Sequence, residues 1–151
     1  MSAESRAQIT ADIVARTGID EAMIERLVRG FYAKVREDDL IGPVFAARIK
    51  DWEPHLQRMF GFWSSVALLN GRYSGTPMPI HMKLPVDAAH FDRWLMLFEA
   101  TARELCPPAA ADHFLERARN IANSLEMGVA FGQGVSLRKG ERFRRTEPAA
   151  D

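Results

Sequence analysis

The sequence contains four histidines, whose imidazole rings can bind a metal ion or transfer a proton near neutral pH. They are His55, His81, His90 and His113. His81 stands in the run PMPIHMKLP, where prolines restrict the backbone and Ile80 and Met82 flank the ring with apolar groups. A ring projecting from such a segment suits a metal ligand, although an isolated histidine is more often a structural residue.

Three other side chains place polar groups among apolar ones. His55 precedes Met59 by one helical turn and Phe62 by two, so a polar ring shares a face with large apolar groups. Tyr32 carries a hydroxyl on an earlier helical segment, and Trp94 carries an indole N–H donor on the most regular one. Taken singly, the tyrosine and the tryptophan are more typical of core aromatics, and the histidine of a solvent-tipped surface ring.

These residues are carried by helical segments, since apolar residues recur at three- and four-residue intervals and no strand pattern or internal repeat is present. Asp20, Asp51 and Asp87 each precede such a segment and suit its first turn as caps. Proline and glycine interrupt the run 70–85, which predicts a largely irregular connection. The predicted elements are a weakly patterned helix at 5–16, longer helices at 20–37, from 51 to before 70, at 87–106 and at 109–131, and a short piece at 44–49.

Composition limits the protein class. A chain of 151 residues, 47% hydrophobic and 26% charged, predicts one compact domain. Twenty basic residues balance twenty acidic ones, so we expect no nucleic-acid partner and no attraction to an anionic membrane. No apolar run reaches the roughly 20 residues of a spanning helix. A single cysteine, Cys106, and a start without signal-peptide features predict a cytoplasmic protein, and we assign the cysteine no function.

Five stretches follow one another in an order that is hard to match by chance. They are Phe31-Tyr32, Gly42 to Phe45, His55 to Trp63, Pro77 to Pro85 and Phe91 to Phe98. This series resembles the truncated haemoglobins, and specifically their third group, because the first two groups carry paired glycines and this sequence has no Gly-Gly pair. The resemblance implies an all-α, truncated globin-like fold, a two-over-two helical sandwich around a haem.

The resemblance also divides the chain. Residues 20–132 are expected to form the globin-like haem domain, residues 1–19 an N-terminal extension with a short helix, and residues 133–151 a polar, flexible tail. Five basic residues of the tail invite a nucleic-acid role, but Glu141 and Glu147 dilute them, so a solvated tail is the better interpretation.

Carried over residue by residue, the resemblance implies haem b, iron protoporphyrin IX, with His81 as its iron ligand. Tyr32, His55 and Trp94 would stabilise a gas ligand on the opposite side, with the direction of the His55 ring left open. Arg58 is either the partner of a haem propionate or an exposed arginine. His90 and His113 match no functional position and are taken as structural. The expected haem-contacting set is His81, Phe31, Phe45, Arg58, Met59, Phe62 and Phe98.

The implied function is binding of O₂, NO or CO, with a polar site that favours O₂ and NO handling over bulk oxygen transport. The protein is expected to be a monomer or weak dimer. We also expect an unidentified reductase as its partner, because the sequence lacks a nucleotide-binding motif of its own. One alternative is a haem enzyme with NO dioxygenase or peroxidase-like activity. A second is a helical interaction domain whose aromatics only fill a core.

Overall fold

A computed structural model of the chain describes residues 2–73 and 77–145. These residues form helices and no strand, as the sequence predicts. The helices are α1 Ala3–Thr17, α2 Glu21–Glu37, α3 Gly42–Ala46, α4 Trp52–Leu68, α5 Met78–His81, α6 Ala88–Leu105 and α7 Pro108–Gly132. Within these described ranges, none of the helices combines the length and apolar character that crossing a membrane requires.

The long helices form two pairs, α2 with α4 and α6 with α7. The pairs meet where α2 packs on α6 and α4 packs on α7, which is the predicted two-over-two arrangement. Helix α2 shows why the sequence folds this way: Met23, Leu27, Phe31 and Val35 follow at four-residue steps, and all are buried. Asp20 begins this helix, because its side chain accepts a hydrogen bond of 2.8 Å from the Met23 amide.

An aromatic stack fills the crossing between the two pairs. The Phe98 ring stacks on Trp63 at 4.8 Å and on Trp94 at 5.6 Å between centroids. Phe31 meets Trp94 edge-on at 5.4 Å. Phe31 and Phe98 are each only 1% exposed, so this stack fixes how α2, α4 and α6 sit against one another.

The segment before residue 20 is a complete helix, α1, although its apolar pattern is weak. Gly18 ends α1 in the left-handed conformation at φ 72°. Ile13 is 3% exposed, and the Thr10 hydroxyl donates to the Leu68 carbonyl at 2.6 Å. This extension therefore packs on the end of α4.

The chain after α7 differs from the loose tail that its composition predicts. Phe143 is 4% exposed, and Arg142 makes a two-pronged ion pair with the buried carboxylate of Glu126. An apolar side chain and a buried acidic partner on α7 help to hold this segment, and the average composition of the tail cannot show either. The rest of the predicted tail, 146–151, lies outside the described residues, as do residues 74–76 of the loop predicted at 70–85.

Within that loop the chain forms one short helix, α5, which lies directly against α7. Gly128 faces Met78 so closely that a β-carbon there would overlap the methionine sulfur. A β-carbon on Gly132 would lie 2.7 Å from the Met82 carbonyl oxygen. Because that oxygen belongs to the backbone, α5 cannot keep its position if α7 carries a larger residue there.

Replacing Gly132 with alanine should therefore destabilise the protein. We expect Gly132→Ala to lower the free energy of unfolding by about 1–3 kcal/mol, since overpacking displaces the Met82 backbone. Gly61→Ala in α4 is the matched control: no atom lies within 4 Å of the added β-carbon, and better helix propensity should raise stability by about 0.5–1 kcal/mol. Urea unfolding of both variants measures this, and equal effects would show that α5 is not seated on Gly132.

Candidate functional site

A cavity of about 350 Å³ lies among the helices and is lined by residues of α2 to α7 and of the loops between them. Its volume falls within the range of small-molecule sites. Its wall is mostly apolar and carries a few polar groups. Eight of the residues predicted for the site line it: Tyr32, Phe45, His55, Arg58, Met59, Phe62, His81 and Trp94.

His81 is the last residue of α5 and forms part of the cavity wall. Its Nδ1 lies 2.7 Å from the Pro77 carbonyl oxygen. A carbonyl oxygen only accepts, so Nδ1 carries the ring hydrogen and Nε2 keeps a lone pair. This is the arrangement in which a histidine can bind a metal ion through one nitrogen while the backbone orients the other.

Tyr32 brings a hydroxyl to the cavity from α2. Its ring is 6% exposed and packs edge-on against Phe45, at 5.7 Å, and against His55, at 5.1 Å. Burial raises the pKa of the Tyr32 hydroxyl far above its ordinary value. Among the described residues the hydroxyl has no hydrogen-bond partner, so it lines the cavity as an unused donor.

His55, in the first part of α4, has a similar character. Its Nε2 is buried and has no hydrogen-bond partner in the described part of the chain. Burial, together with the nearby positive charge of Arg58, lowers the pKa of the ring, which favours the neutral form. Buried polar atoms usually have partners, and a partner for this nitrogen can come from a molecule in the cavity.

Two predicted haem contacts lie elsewhere. Phe31 and Phe98 do not line the cavity; they are buried behind Trp94, in the aromatic stack between α2 and α6. Successive residues on a helix point about 100° apart, so Phe31 faces α6 while Tyr32 faces the cavity. The two phenylalanines support Trp94, which does form part of the wall.

Two arginines give the cavity wall positive charge. Arg58 and Arg48 both line the cavity and both are exposed. Neither forms an ion pair within the described residues, and Arg48 donates only to the Val44 carbonyl, at 3.2 Å. Carboxylate groups on a cavity ligand would find charged donors here. The sequence analysis missed Arg48, which no motif marks.

The structure also separates the remaining histidines. His113 is buried away from the cavity, where its Nε2 lies 2.7 Å from the Ala67 carbonyl oxygen and ties α7 to α4. His90 lines the cavity, but its Nδ1 lies 3.2 Å from Asp87 at the start of α6. Both therefore have structural roles, although the place of His90 in the wall was not foreseen.

Several wall residues escaped the sequence analysis as site residues although the helical pattern includes them. Ile121 and Leu125 continue the apolar stripe of α7 into the cavity, and Trp63 does so from α4. The helical spacing of apolar residues is the same for a cavity wall and for a packed core, so the sequence could not distinguish the two. Tyr73, beyond the end of α4, also lines the cavity, with its ring 5.3 Å from that of Phe62.

These residues fit a haem. Haem is a flat, largely apolar ring with two carboxylates, and its iron needs one axial ligand from the protein. The wall offers the imidazole of His81, oriented by the Pro77 carbonyl, together with a mostly apolar surface and two arginines without an ion-pair partner in the described residues. The unpartnered Tyr32 hydroxyl is a further donor for a small ligand, and the His55 Nε2 is a donor or an acceptor according to its tautomer.

Comparison with known proteins shows the family of the chain. The model of the family described as Bacterial-like globin matches residues 15–126. A group 3 truncated hemoglobin of Campylobacter jejuni is 32% identical over 113 residues, which cover 72% of this chain and 89% of the relative. The crystal structure of a group III truncated hemoglobin from Campylobacter jejuni superimposes with a TM-score of 0.67, at 32% identity and with the same shares covered. The chain therefore belongs to the bacterial-like globins, as a truncated haemoglobin of the third group.

Proposed function

We propose that this globin holds haem b through His81 and binds a diatomic gas, O₂, NO or CO, in the cavity beside Tyr32, His55 and Trp94. Its role is O₂ and NO handling rather than bulk oxygen transport, with an unidentified reductase as the source of electrons. The single observation that carries the proposal is the hydrogen bond of 2.7 Å that His81 Nδ1 donates to the Pro77 carbonyl oxygen, because this residue lines a mostly apolar cavity.

When bound, haem supplies an iron atom with a coordination position open to a gas. The chain's own contribution begins with His81, whose Nε2 is unprotonated and therefore able to act as a ligand. Arg58 and Arg48 are the candidates for binding the two propionates, because both are exposed at the wall without an ion-pair partner in the described structure. Phe45, Met59 and Phe62 contribute apolar surface to the ring.

The polar groups that Tyr32, Trp94 and His55 bring to the cavity wall support gas retention. Because burial raises the pKa of Tyr32, its hydroxyl stays protonated and remains a donor at neutral pH. The Trp94 indole N–H is a donor at any pH. Burial, together with the charge of Arg58, lowers the pKa of the His55 ring and so favours its neutral form. A hydrogen bond to a charged group contributes about 1.5–3 kcal/mol, so one such donor slows gas release about ten- to a hundredfold. Slow release suits capture of O₂ or NO better than oxygen delivery.

The role of His81 can be tested by spectroscopy. We expect the wild-type protein, expressed with excess haem, to show a Soret band that shifts when CO is added to the reduced form. His81→Gly should lose this spectrum because the iron loses its protein ligand, and added imidazole should restore it. His90→Gln is the matched control, since His90 also lines the cavity but is held by Asp87; it should keep the wild-type spectrum.

Two outcomes of that experiment would contradict the proposal. A wild-type protein that folds but stays colourless with excess haem would favour a cofactor-free interaction domain. A Soret spectrum that is normal in His81→Gly and altered in His90→Gln would assign the iron ligand to His90, another of the three histidines that line the cavity.

The role of Tyr32 can be tested by kinetics. Tyr32→Phe keeps the ring that packs on Phe45 and His55 but removes the unpartnered hydroxyl. We expect O₂ release, measured by stopped flow, to become about ten- to a hundredfold faster. Tyr73→Phe makes the same chemical change beyond the far end of α4 and should leave the rate within about twofold. Equal rates in Tyr32→Phe and the wild type would remove Tyr32 from the gas site.

A further inference from the structure

The segment Leu137 to Arg145, here named the C-terminal strap, crosses from the end of α7 to the start of α6. It lies beyond residue 126, where the match to the globin family ends. Its first residue, Leu137, packs against the apolar cluster that contains Val86 and Phe91. Its polar contacts with the two helices are made by residues at its far end.

The strap is fixed to α7 through a buried carboxylate. Glu126 is 5% exposed. The Arg142 Nε lies 3.1 and 3.0 Å from its two oxygens, and the Phe143 amide donates to Oε2 at 2.8 Å. A buried carboxylate that accepts several hydrogen bonds and faces a guanidinium is fully satisfied. The strap therefore has a specific seat on α7.

The same two residues bind the start of α6. The Ala88 amide donates to the Phe143 carbonyl at 2.7 Å, which satisfies one of the amides left free at the beginning of a helix. Arg142 also donates to the Ala88 carbonyl at 3.3 Å and to Asp92 at 2.7 Å. One guanidinium thus joins the α6 start to α7.

The Phe143 side chain completes the connection. It is 4% exposed and belongs to one apolar cluster with Val86, Phe91 and Ala122. All three of those residues also line the cavity. The ring of Phe143 therefore packs behind Val86 and Phe91, the wall residues that follow His81 in the chain.

We propose that the C-terminal strap is a positioning element of the cavity: Phe143 and Arg142 clamp the start of α6 to α7. They thereby hold Val86 and Phe91 in place in the wall, beside the haem that His81 binds. This inference rests on the proposed function for the presence of haem in the cavity. It also gives the basic tail a role within the molecule, because the Arg142 charge is paired with Glu126 and Asp92 and is not available to a nucleic acid.

The clamp can be tested without haem, by amide hydrogen exchange of the full-length haem-free protein. In Phe143→Ala we expect amides of residues 86–91 to exchange at least about tenfold faster, while α2 keeps its protection. Phe143→Leu keeps an apolar side chain and should restore protection. Unchanged exchange at 86–91 would mean that the strap does not hold this segment. Faster exchange in α2 as well would mean that the strap only stabilises the whole fold. Either result would overturn the proposal.

Arg142→Gln and Arg144→Gln form a matched pair for the polar contacts. Arg142 joins the two helices, whereas Arg144 is exposed and makes no hydrogen bond or ion pair in the described part of the chain. We expect Arg142→Gln to accelerate exchange at 86–91 and Arg144→Gln to leave it unchanged. Equal effects of the two substitutions would mean that tail charge, and not the clamp, controls the wall.

The haem-loaded protein gives the second readout. Phe143→Ala should release haem to an excess of a haem-scavenging protein at least about tenfold faster than the wild type, and should shift the iron–histidine stretching frequency in the Raman spectrum. Phe143→Leu and Arg144→Gln should match the wild type in both. If the wild type takes up no haem, the proposed function fails, while the exchange experiment still decides whether the strap clamps the wall. Faster exchange with unchanged haem release and Raman frequency would overturn the link from the wall to His81.

Discussion

The hydrogen bond from His81 Nδ1 to the Pro77 carbonyl, at 2.7 Å, is the contact on which the site depends. It decides which ring nitrogen carries the hydrogen, and it does so with a backbone acceptor that does not titrate. The opposite tautomer, with its hydrogen on Nε2, would offer the cavity a donor in place of a lone pair. The metal binding that we propose for His81 therefore depends on the position of the Pro77 carbonyl, four residues earlier in the chain.

Helix α5 cannot hold this geometry alone, since a helix of four residues is far too short to be stable in isolation. Its position comes from α7, where Gly128 and Gly132 let the α5 backbone approach closely. Helix α7 is in turn fixed by α6 and, through the His113 ring, by α4. The pairing of the long helices thus positions His81, the proposed ligand, because the short helix that carries it packs on α7.

The long helices were predictable because their apolar spacing and capping residues agree, as in α2, where Asp20 begins a helix with a continuous buried stripe. The sequence also ranked His81 above the other histidines. It could not separate the cavity wall from the core: Phe31 and Phe98 have the residue type of haem contacts but face another helix. The sequence also could not predict the burial of Phe143, because its backbone bonds to both Glu126 on α7 and Ala88 on α6, which are far apart in the chain. Periodicity reports which face is apolar and leaves open what that face touches.

The polar groups of the cavity wall differ in whether they have hydrogen-bond partners within the protein. The His81 Nδ1 is hydrogen-bonded to a backbone carbonyl, whereas the Tyr32 hydroxyl and the His55 Nε2 have no hydrogen-bond partners in the described structure. Leaving a buried polar atom such as the His55 Nε2 unpaired costs about 1–3 kcal/mol, so a core built only for stability would carry an apolar group at this position. The Tyr32 hydroxyl and the His55 Nε2 can each form a hydrogen bond with a small molecule in the cavity. Such a bond would offset the cost at His55, so a polar group that weakens the fold also favours binding of a ligand.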